Sequence, residues 1–400
     1  MSGVVNVLYC ADTRFPTERA NGVQTMATCH ALAARGHEII LLTRPDTAPE
    51  PRDPLAFYGR APLDRLRFEQ VPASPGRRAA RVRFLLHAIA RAAQTGALLY
   101  TRDLGLAAFA LQLPSPRRPR VVYESHGLSP TVSEELPRLL GRPELVPSRH
   151  KLRRLDRREQ RVWRRAAAYV TITRALAGEL RSRYGDRDRV FVVPDGASPP
   201  AAAGWGPSHG PAPGAPPVAA YAGHLYPWKG VDVFVRALAL TPPIRGLIVG
   251  GHPRESDRER VESLLDTLGL RDRVEMTGHV PPGEVARHLC RATMLVLPNT
   301  ASAISERYTS PLKLFEYLTL GRPIVASDLP AIREILTADE TALLVAPGDA
   351  RALAAGLTRL ADDAALSARL SQAALALAPD YTWEARARRL DPALEAAGRA

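Results

Sequence analysis

Residues 221–238 read YAGHLYPWKGVDVFVRAL, and this stretch decides the predicted fold. A short apolar run ends at Gly223, the next loop carries Lys229, and a helix pattern begins near Val231. A strand, a short loop and a helix in this order form the repeating unit of parallel α/β sheets. A lysine just before a helix N-terminus is suited to hold a phosphate, because its charge adds to the helix dipole and to free backbone N–H groups.

A second informative stretch, ISERYTSPLKLFEYLTLGRPIVASDLPAIREIL, covers residues 304–336. Thr309, Ser310 and Pro311 form a polar turn, and a helix pattern follows from Leu312. A turn of this kind, placed ahead of a helix, offers backbone and hydroxyl donors to an anion. The two stretches therefore predict two anion-binding loops.

Glu316 lies within that helix pattern among apolar neighbours. A carboxylate in such surroundings needs a partner, because burying an unpaired charge is costly. Two alternatives remain open at this point. Glu316 forms a salt bridge with Lys313 or Arg322, or it binds the hydroxyl groups of a ligand.

Short apolar runs alternate with helix patterns along the whole chain, which predicts an α/β protein with doubly wound parallel sheets. The strand candidates are residues 4–10, 39–43, 97–101, 121–124 and 169–173, and then 217–223, 246–250, 274–277, 294–298 and 323–327. A Pro- and Gly-rich stretch, residues 197–217, separates the two series and predicts a linker or long loop. We therefore expect two Rossmann-like domains, residues 1–200 and 201–380, with a ligand in the cleft between their sheets.

The composition favours a cytoplasmic protein without a structural metal. Three cysteines, Cys10, Cys29 and Cys290, are widely spaced and show no metal-ligand spacing. The N-terminus lacks the pattern of a signal peptide, and no apolar run is long enough to span a bilayer. We also find no dinucleotide-binding Gly motif, no P-loop, no zinc-protease motif and no serine-hydrolase motif.

The positive charge is unevenly distributed. Residues 1–200 contain 33 Lys and Arg against 19 Asp and Glu, whereas residues 201–400 contain 21 against 22. Two basic amphipathic stretches, residues 77–91 and Arg149–Arg165, hold much of the excess. They are either ordinary surface helices with a solvated face or a docking surface for anionic lipid, on the inner face of the plasma membrane.

The two informative stretches resemble the donor-binding half of family 4 glycosyltransferases of the GT-B fold. That family shows Gly-Arg-Leu followed by Lys-Gly, and this chain has Gly223-His224-Leu225 and then Lys229-Gly230 at the same spacing. The resemblance implies that Lys229 contacts the donor diphosphate. His224 stands in place of the family's arginine, and it donates to phosphate only with a suitable tautomer or a protonated ring.

The family's second motif is Glu-Gly-Phe-Gly-x-Pro-x-x-Glu-Ala. Its second glutamate aligns with Glu316, and the resemblance implies that Glu316 binds the ribose hydroxyls. Tyr308 stands where the first glutamate is expected. Glu306 lies two residues before Tyr308 in the sequence, and it takes the place of the first glutamate only if the loop shifts.

The resemblance continues outside these motifs. Asn21, Gly22 and Val23 match the family's first Gly loop, which lies near the donor sugar and diphosphate. His126, in YESHGL, matches the active-site histidine at a strand end. In the family, backbone atoms near positions such as Val280 usually recognise the base of the donor nucleotide. Residues 381–400 resemble a helix that returns to the first domain.

The resemblance implies a retaining glycosyltransferase that uses a nucleoside diphosphate sugar, without metal or other cofactor, in glycan, polysaccharide or glycolipid synthesis. Its acceptor is a sugar, a lipid-linked molecule or another small molecule. His126, Lys229 and Glu306 are the expected catalytic residues. The alternatives are a nucleotide-sugar 2-epimerase or a non-catalytic binder on the same fold. A nucleic-acid partner is not expected, because the basic stretches lack interleaved stacking aromatics.

Overall fold

The computed structural model describes residues 3–48, 50–115, 117–199, 214–251 and 257–399. The chain forms two compact units. Unit 1 comprises Met1–Glu134, Pro147–Asp195 and Trp383–Ala400, and unit 2 comprises Glu135–Val146 and Gly196–Thr382. Residues 200–213, the greater part of the stretch that predicts a linker, lie outside the described residues.

Unit 1 is built on a parallel sheet of seven strands in the order β3-β2-β1-β4-β5-β6-β7. The strands are β1 (Asn6–Arg14), β2 (Glu38–Arg44), β3 (Leu66–Gln70), β4 (Leu98–Thr101), β5 (Val121–Ser125), β6 (Ala168–Thr171) and β7 (Val190–Val192). The helices up to residue 195 are α1 (Ala20–Ala34), α2 (Pro54–Phe57), α3 (Arg77–Thr95), α4 (Leu104–Ala110), α5 (Ser129–Leu139), α6 (Arg149–Arg165) and α7 (Arg174–Tyr184).

Unit 2 is built on a parallel sheet of six strands in the order β10-β9-β8-β11-β12-β13. The strands are β8 (Val218–Ala222), β9 (Arg245–Val249), β10 (Val274–Gly278), β11 (Met294–Leu297), β12 (Ile324–Ser327) and β13 (Leu343–Val345). The helices are α8 (Val231–Ala239), α9 (Asp257–Thr267), α10 (Val285–Leu289), α11 (Ala303–Arg307), α12 (Leu312–Thr319), α13 (Pro330–Arg333), α14 (Ala350–Asp362) and α15 (Ala364–Leu377). The last helix, α16 (Trp383–Gly398), packs in unit 1 against α1 and strands β4 to β7.

The core of unit 2 follows from the alternation of side chains along its strands. Ala219 and Tyr221 of β8 join one apolar cluster, whereas Ala220 and Ala222 join another. The two clusters therefore cover opposite faces of the sheet. This double coverage requires nearly continuous apolar strands, which is why β8 and its neighbours are readable in the sequence.

The fold class and the ten strand candidates are confirmed, but three strands lie outside the prediction. They are β3, β7 and β13, and each lies at an edge of its sheet. Edge strands are short or carry polar residues, so their apolar pattern is weak. Strand β3 reads LRFEQ, and β7 and β13 have three residues each.

The residues that match the family's first Gly loop lie in helix α1. Its first residue is Ala20, so Asn21, Gly22 and Val23 lie in its first turn and not in a preceding loop. A Cβ at Gly22 would meet the Thr17 side chain and the Tyr58 hydroxyl, each at 2.5 Å. Internal packing therefore requires glycine at this position, whatever ligand lies nearby.

No described helix combines the length and apolar composition needed to cross a membrane.

Candidate functional site

The candidate site of unit 2 lies where its sheet changes direction. Strands β9 and β10 lie on one side of β8, and β11, β12 and β13 lie on the other. In parallel sheets, ligands bind beyond the carboxyl ends of the strands at such a switch point. Residues 223–230 follow β8 and residues 298–302 follow β11, so these two loops form the site.

The two loops are held together by backbone contacts. Gly230 has φ +77°, and a Cβ there would meet the Pro298 carbonyl oxygen at 1.7 Å. The backbone N–H of Thr300 donates to the carbonyl of Trp228 at 3.1 Å, and the Thr300 hydroxyl donates to the same oxygen at 3.3 Å. Only glycine fits at position 230, and the turn Pro227–Lys229 is fixed in place.

Lys229 lies on that turn with its ammonium nitrogen 4.1 Å from the centroid of the Trp228 ring. Burial lowers the pKa of Lys229 to about 8. Within the described residues, no carboxylate forms an ion pair with it. A cation that is partly desolvated and lacks a protein counter-ion is prepared to bind an anion.

Helix α12 adds two charged groups. The side chain of Lys313 is only 8% exposed, and its ammonium nitrogen lies 3.9 Å from the centroid of the Tyr221 ring. Burial and then the charge of Lys229 lower the pKa of Lys313, whereas Glu316 opposes that change. Burial raises the pKa of Glu316, and Lys313 opposes it. Lys313 thus interacts electrostatically with both Lys229 and Glu316.

The salt-bridge alternative for Glu316 is not found in the part of the chain that the structure describes. Neither Lys313 nor Arg322 forms an ion pair with its carboxylate there. The carboxylate therefore keeps its acceptor capacity for a ligand.

His224 follows β8 and stacks on Tyr226, with ring centroids 5.0 Å apart and planes 3° from parallel. The hydroxyl of Tyr221 donates to the backbone carbonyl of His224 at 2.5 Å. Because the Tyr221 ring also contacts the Lys313 ammonium, Tyr221 joins the His224 loop to helix α12.

Several buried polar atoms around these loops have no hydrogen-bond partner among the described residues. They are Nε1 of Trp228, Nζ of Lys313, and both Nδ2 and Oδ1 of Asn299. Asn299 is fully buried and directly follows Pro298, which Gly230 touches. An unsatisfied buried polar atom costs about 1–3 kcal/mol, so this group indicates a polar ligand. Sequence reasoning missed Asn299, since nothing in its context distinguishes it from a loop residue.

The side chains of the predicted polar turn before α12 are partly buried. Thr309 is buried, and its hydroxyl donates to the carbonyl of Ile304 at 2.7 Å. Ser310 is half-buried, Pro311 is the N-cap residue and Leu312 is the first helical residue. The hydroxyl proton of Thr309 is thus engaged by the Ile304 carbonyl and is not available to a ligand.

Glu306 and Val280 belong to other elements of unit 2 than the two lysines. Glu306 is in α11, and no contact among the described residues joins its carboxylate to Lys229, Lys313 or Glu316. Val280 follows β10 and packs its side chain against the core of unit 2. A contact of Val280 with a ligand would therefore use its backbone.

In unit 1, His126 directly follows β5, and its Nε2 donates a hydrogen bond to Oε1 of the Glu124 carboxylate. Glu124 is fully buried. Burial lowers the pKa of His126, the charge of Arg102 lowers it further, and Glu124 opposes both. His126 is therefore oriented by a carboxylate on its own strand.

A guanidinium from the C-terminal helix neutralises Glu124. Arg386 of α16 donates from Nη2 to both Glu124 oxygens, at 2.8 and 2.7 Å, and is itself fully buried. Gln24 also donates to Glu124, at 2.8 Å, and the Tyr100 hydroxyl donates to it. Burial alone would raise the pKa of Glu124, but Arg386 and His126 hold it well below its ordinary value. Sequence reasoning missed this network, although a glutamate inside a buried strand is a signal that a partner is needed.

Among the described residues, one set has the spacing of metal ligands: Glu124, His126 and Asp195, with ligand atoms within 4.8 Å of one another. Both Glu124 oxygens already accept hydrogen bonds from Arg386. The cation that balances this carboxylate is thus a guanidinium, and the residues do not fit a metal ion well.

Two family models match the chain. "Glycosyl transferase 4-like domain" matches residues 21–196, and "Glycosyl transferases group 1" matches residues 216–363. A curated relative, the D-inositol 3-phosphate glycosyltransferase of Nocardia farcinica, is 30% identical over 240 residues, which cover 56% of this chain and 51% of the relative. The chain spans about half the length of the first curated relatives that it matches.

Solved structures share the fold. The sucrose-phosphate synthase of Thermosynechococcus elongatus matches with a TM-score of 0.74 and 21% identity, over 96% of this chain and 97% of that chain. HepE of Anabaena, solved with UDP-glucose, matches with a TM-score of 0.70 and 15% identity, over 96% and 98% of the two chains.

We expect Arg386→Met to lower the free energy of unfolding at pH 7 by roughly 3–5 kcal/mol, because it leaves the Glu124 carboxylate buried without a counter-ion. Ionised Glu124 makes its full contribution to the free energy of unfolding above about pH 4.3, the pKa of a glutamate in the unfolded chain. That contribution is lost as the pH falls from there toward the lower pKa that Glu124 has in the folded protein. Glu124→Gln should therefore be less stable at pH 7 and lose less stability on acidification. Chemical denaturation at several pH values measures both effects.

Arg388→Met is the matched control, since Arg388 is exposed on the same helix. It should change the free energy of unfolding by less than about 0.5 kcal/mol. Equal losses in the two arginine variants would contradict the proposed role of the buried pair.

Proposed function

Because the chain belongs to the group 1 glycosyltransferases, of family 4 type and GT-B fold, we propose that it moves a sugar from a nucleoside diphosphate sugar to an acceptor hydroxyl. One observation carries this proposal: at the switch point of unit 2, Lys229 has no counter-ion among the described residues and acts on Lys313, which in turn interacts with Glu316. A diphosphate would supply the anion, and a ribose would supply hydroxyl groups to the carboxylate.

The proposed reaction retains the configuration of the anomeric carbon. The acceptor hydroxyl attacks on the face from which the diphosphate leaves, and a departing phosphate oxygen takes the hydroxyl proton. Negative charge grows on the diphosphate as the glycosidic bond breaks. Lys229 and the turn at Ser310 would stabilise that charge where it develops, so the proposal needs neither a metal nor a cofactor.

His126 is proposed to position the donor sugar or the acceptor. Its Nε2 faces the Glu124 carboxylate, which assigns the proton of a neutral ring to Nε2. Nδ1 is then an acceptor for a hydroxyl group. Contacts of Asn21, Gly22, Val23, His224 and Val280 with the donor remain predictions, as does a role for Glu306.

A thermal-shift screen against UDP, GDP, ADP, TDP and CDP, without metal, tests the donor site. We expect one nucleotide to stabilise the protein, by about 2.7 kcal/mol at a hundred times its Kd. Lys229→Ala should remove most of this gain, because a charge-assisted contact with phosphate is lost. Glu316→Ala should weaken binding of the same nucleotide through its ribose.

Lys151→Ala is the control for that screen, since Lys151 is exposed on α6. A shift of equal size in wild type and Lys229→Ala would contradict the site. Formation of the 2-epimer of the sugar without any acceptor would instead favour a 2-epimerase, and binding without turnover would favour a non-catalytic binder.

We further propose that unit 1 docks on anionic lipid at the inner face of the plasma membrane. Helix α6 carries nine Lys and Arg, and seven of them are exposed. Helix α3 exposes Val82 and Leu86, one helical turn apart, at 54% and 57%. Residues of α3 and α6 line one shared cavity, so both helices belong to one surface of unit 1. Exposed cations beside apolar side chains suit a lipid surface, where each cation contributes about 1 kcal/mol.

Flotation with phosphatidylglycerol and phosphatidylcholine vesicles tests the docking surface. We expect binding at low salt that falls at high salt, because surface charges are screened. The double variant Arg153→Glu and Arg157→Glu, on α6, should lose binding. The same reversal at Arg236 and Arg351, exposed in unit 2, should leave binding unchanged. No flotation of the wild-type protein at low salt would remove the membrane proposal.

A further inference from the structure

Lysine is rare in this chain. Only three of the 54 Lys and Arg residues are lysines, namely Lys151, Lys229 and Lys313. Lys151 is exposed on α6, whereas Lys229 and Lys313 both lie at the switch point of unit 2. In a chain that uses arginine almost everywhere, two lysines acting on each other mark a position where a compact ammonium group is needed.

The two lysines coincide with two departures from the family motifs. His224 stands where the first motif has arginine, so one permanent positive charge is missing. Lys313 stands where the second motif, Glu-Gly-Phe-Gly-x-Pro-x-x-Glu, has proline, so one positive charge is added. If Lys313 takes the place of the missing arginine, the site has the same number of positive charges as in the family.

We propose that Lys313 and Lys229 together hold the diphosphate of the donor, with Lys313 supplying the charge that the family takes from the arginine at position 224. This inference rests on the proposed function, and it assigns to Lys313 a binding role beyond those that the two quoted motifs imply.

The surroundings of Lys313 place its ammonium group close to the peptide of His224. The ammonium lies on the Tyr221 ring, and the hydroxyl of the same tyrosine donates to the carbonyl of His224. Helix α12 therefore brings a cation to the strand end where the loop with His224 begins.

The bonding of Lys313 is incomplete without a ligand. Its side chain is more than nine-tenths buried, yet Nζ has no hydrogen-bond partner among the described residues. A contact with an aromatic ring satisfies part of the charge, but it provides no acceptor for the three N–H donors. Phosphate oxygens are acceptors that match these donors.

The neighbouring charges also favour an anion between the lysines. Lys229 disfavours the charged form of Lys313, and Glu316 favours it. A single carboxylate balances one of two adjacent cations, so the pair keeps a net positive charge when both are protonated. A diphosphate bound between the lysines would contact both ammonium groups and offset their repulsion. A lysine with a purely structural role gains nothing from a second cation beside it.

Isothermal titration calorimetry of the full chain with inorganic pyrophosphate tests the lysine pair without requiring the identity of the base or sugar. We expect the wild-type protein to bind at low salt. Lys313→Met and Lys229→Met should each weaken binding by roughly tenfold or more, because each loses a charge-assisted contact. Arg351→Met, which removes an exposed cation of unit 2 outside the site, should bind as the wild type does.

A compensating variant separates binding from folding. His224→Arg, added to Lys313→Met, restores the arrangement of the family and should recover most of the lost affinity. Lys313→Arg serves as a second single variant if Lys313→Met does not fold, and it should retain part of the affinity.

Equal affinity of wild type and Lys313→Met would overturn the role of Lys313. Absence of pyrophosphate binding by the wild type would overturn the lysine pair altogether. Pyrophosphate binding without binding of any nucleoside diphosphate would contradict the proposed function and leave the lysine pair in place.

Discussion

The close approach of two backbones at the switch point of unit 2 is the constraint on which the candidate site depends. Gly230 touches the carbonyl of Pro298 so closely that no Cβ fits, and this contact fixes the turn that carries Lys229. With the turn fixed, Lys229 and Lys313 interact without a shared counter-ion. The backbone contact thus holds the Lys229 cation at the switch point, and no carboxylate among the described residues neutralises it, so it is available to an anionic ligand.

In unit 1 the buried charge is negative, and it has a counter-ion. Glu124 lies inside the sheet, and Arg386 reaches it from the last helix with two hydrogen bonds. The same carboxylate orients His126 at the end of β5. Residues far apart in the sequence, 124 and 386, therefore determine together how one candidate site residue is held. The C-terminal helix is in this sense part of the histidine's environment.

The sequence predicts the fold well where apolar runs are long, and poorly where they are short. The central strands of both sheets are visible because they are buried on two faces, whereas the edge strands β3, β7 and β13 are not. The loop with Lys229 is predictable because lysine is rare and precedes a helix. Arg386 and Asn299 are not, since an arginine among many arginines, or an asparagine in a loop, acquires meaning only from contacts distant in sequence.

The central proposal is that this chain breaks the bond between a sugar and a nucleoside diphosphate with retention. Water serves as acceptor when no other is present, so real-time proton NMR of slow donor hydrolysis tests the claim without an identified acceptor. With an α-configured nucleotide sugar, the account predicts that the α-anomer of the free sugar appears first, before mutarotation. Initial release of the β-anomer, or no cleavage of any nucleotide sugar that the protein binds, would contradict it.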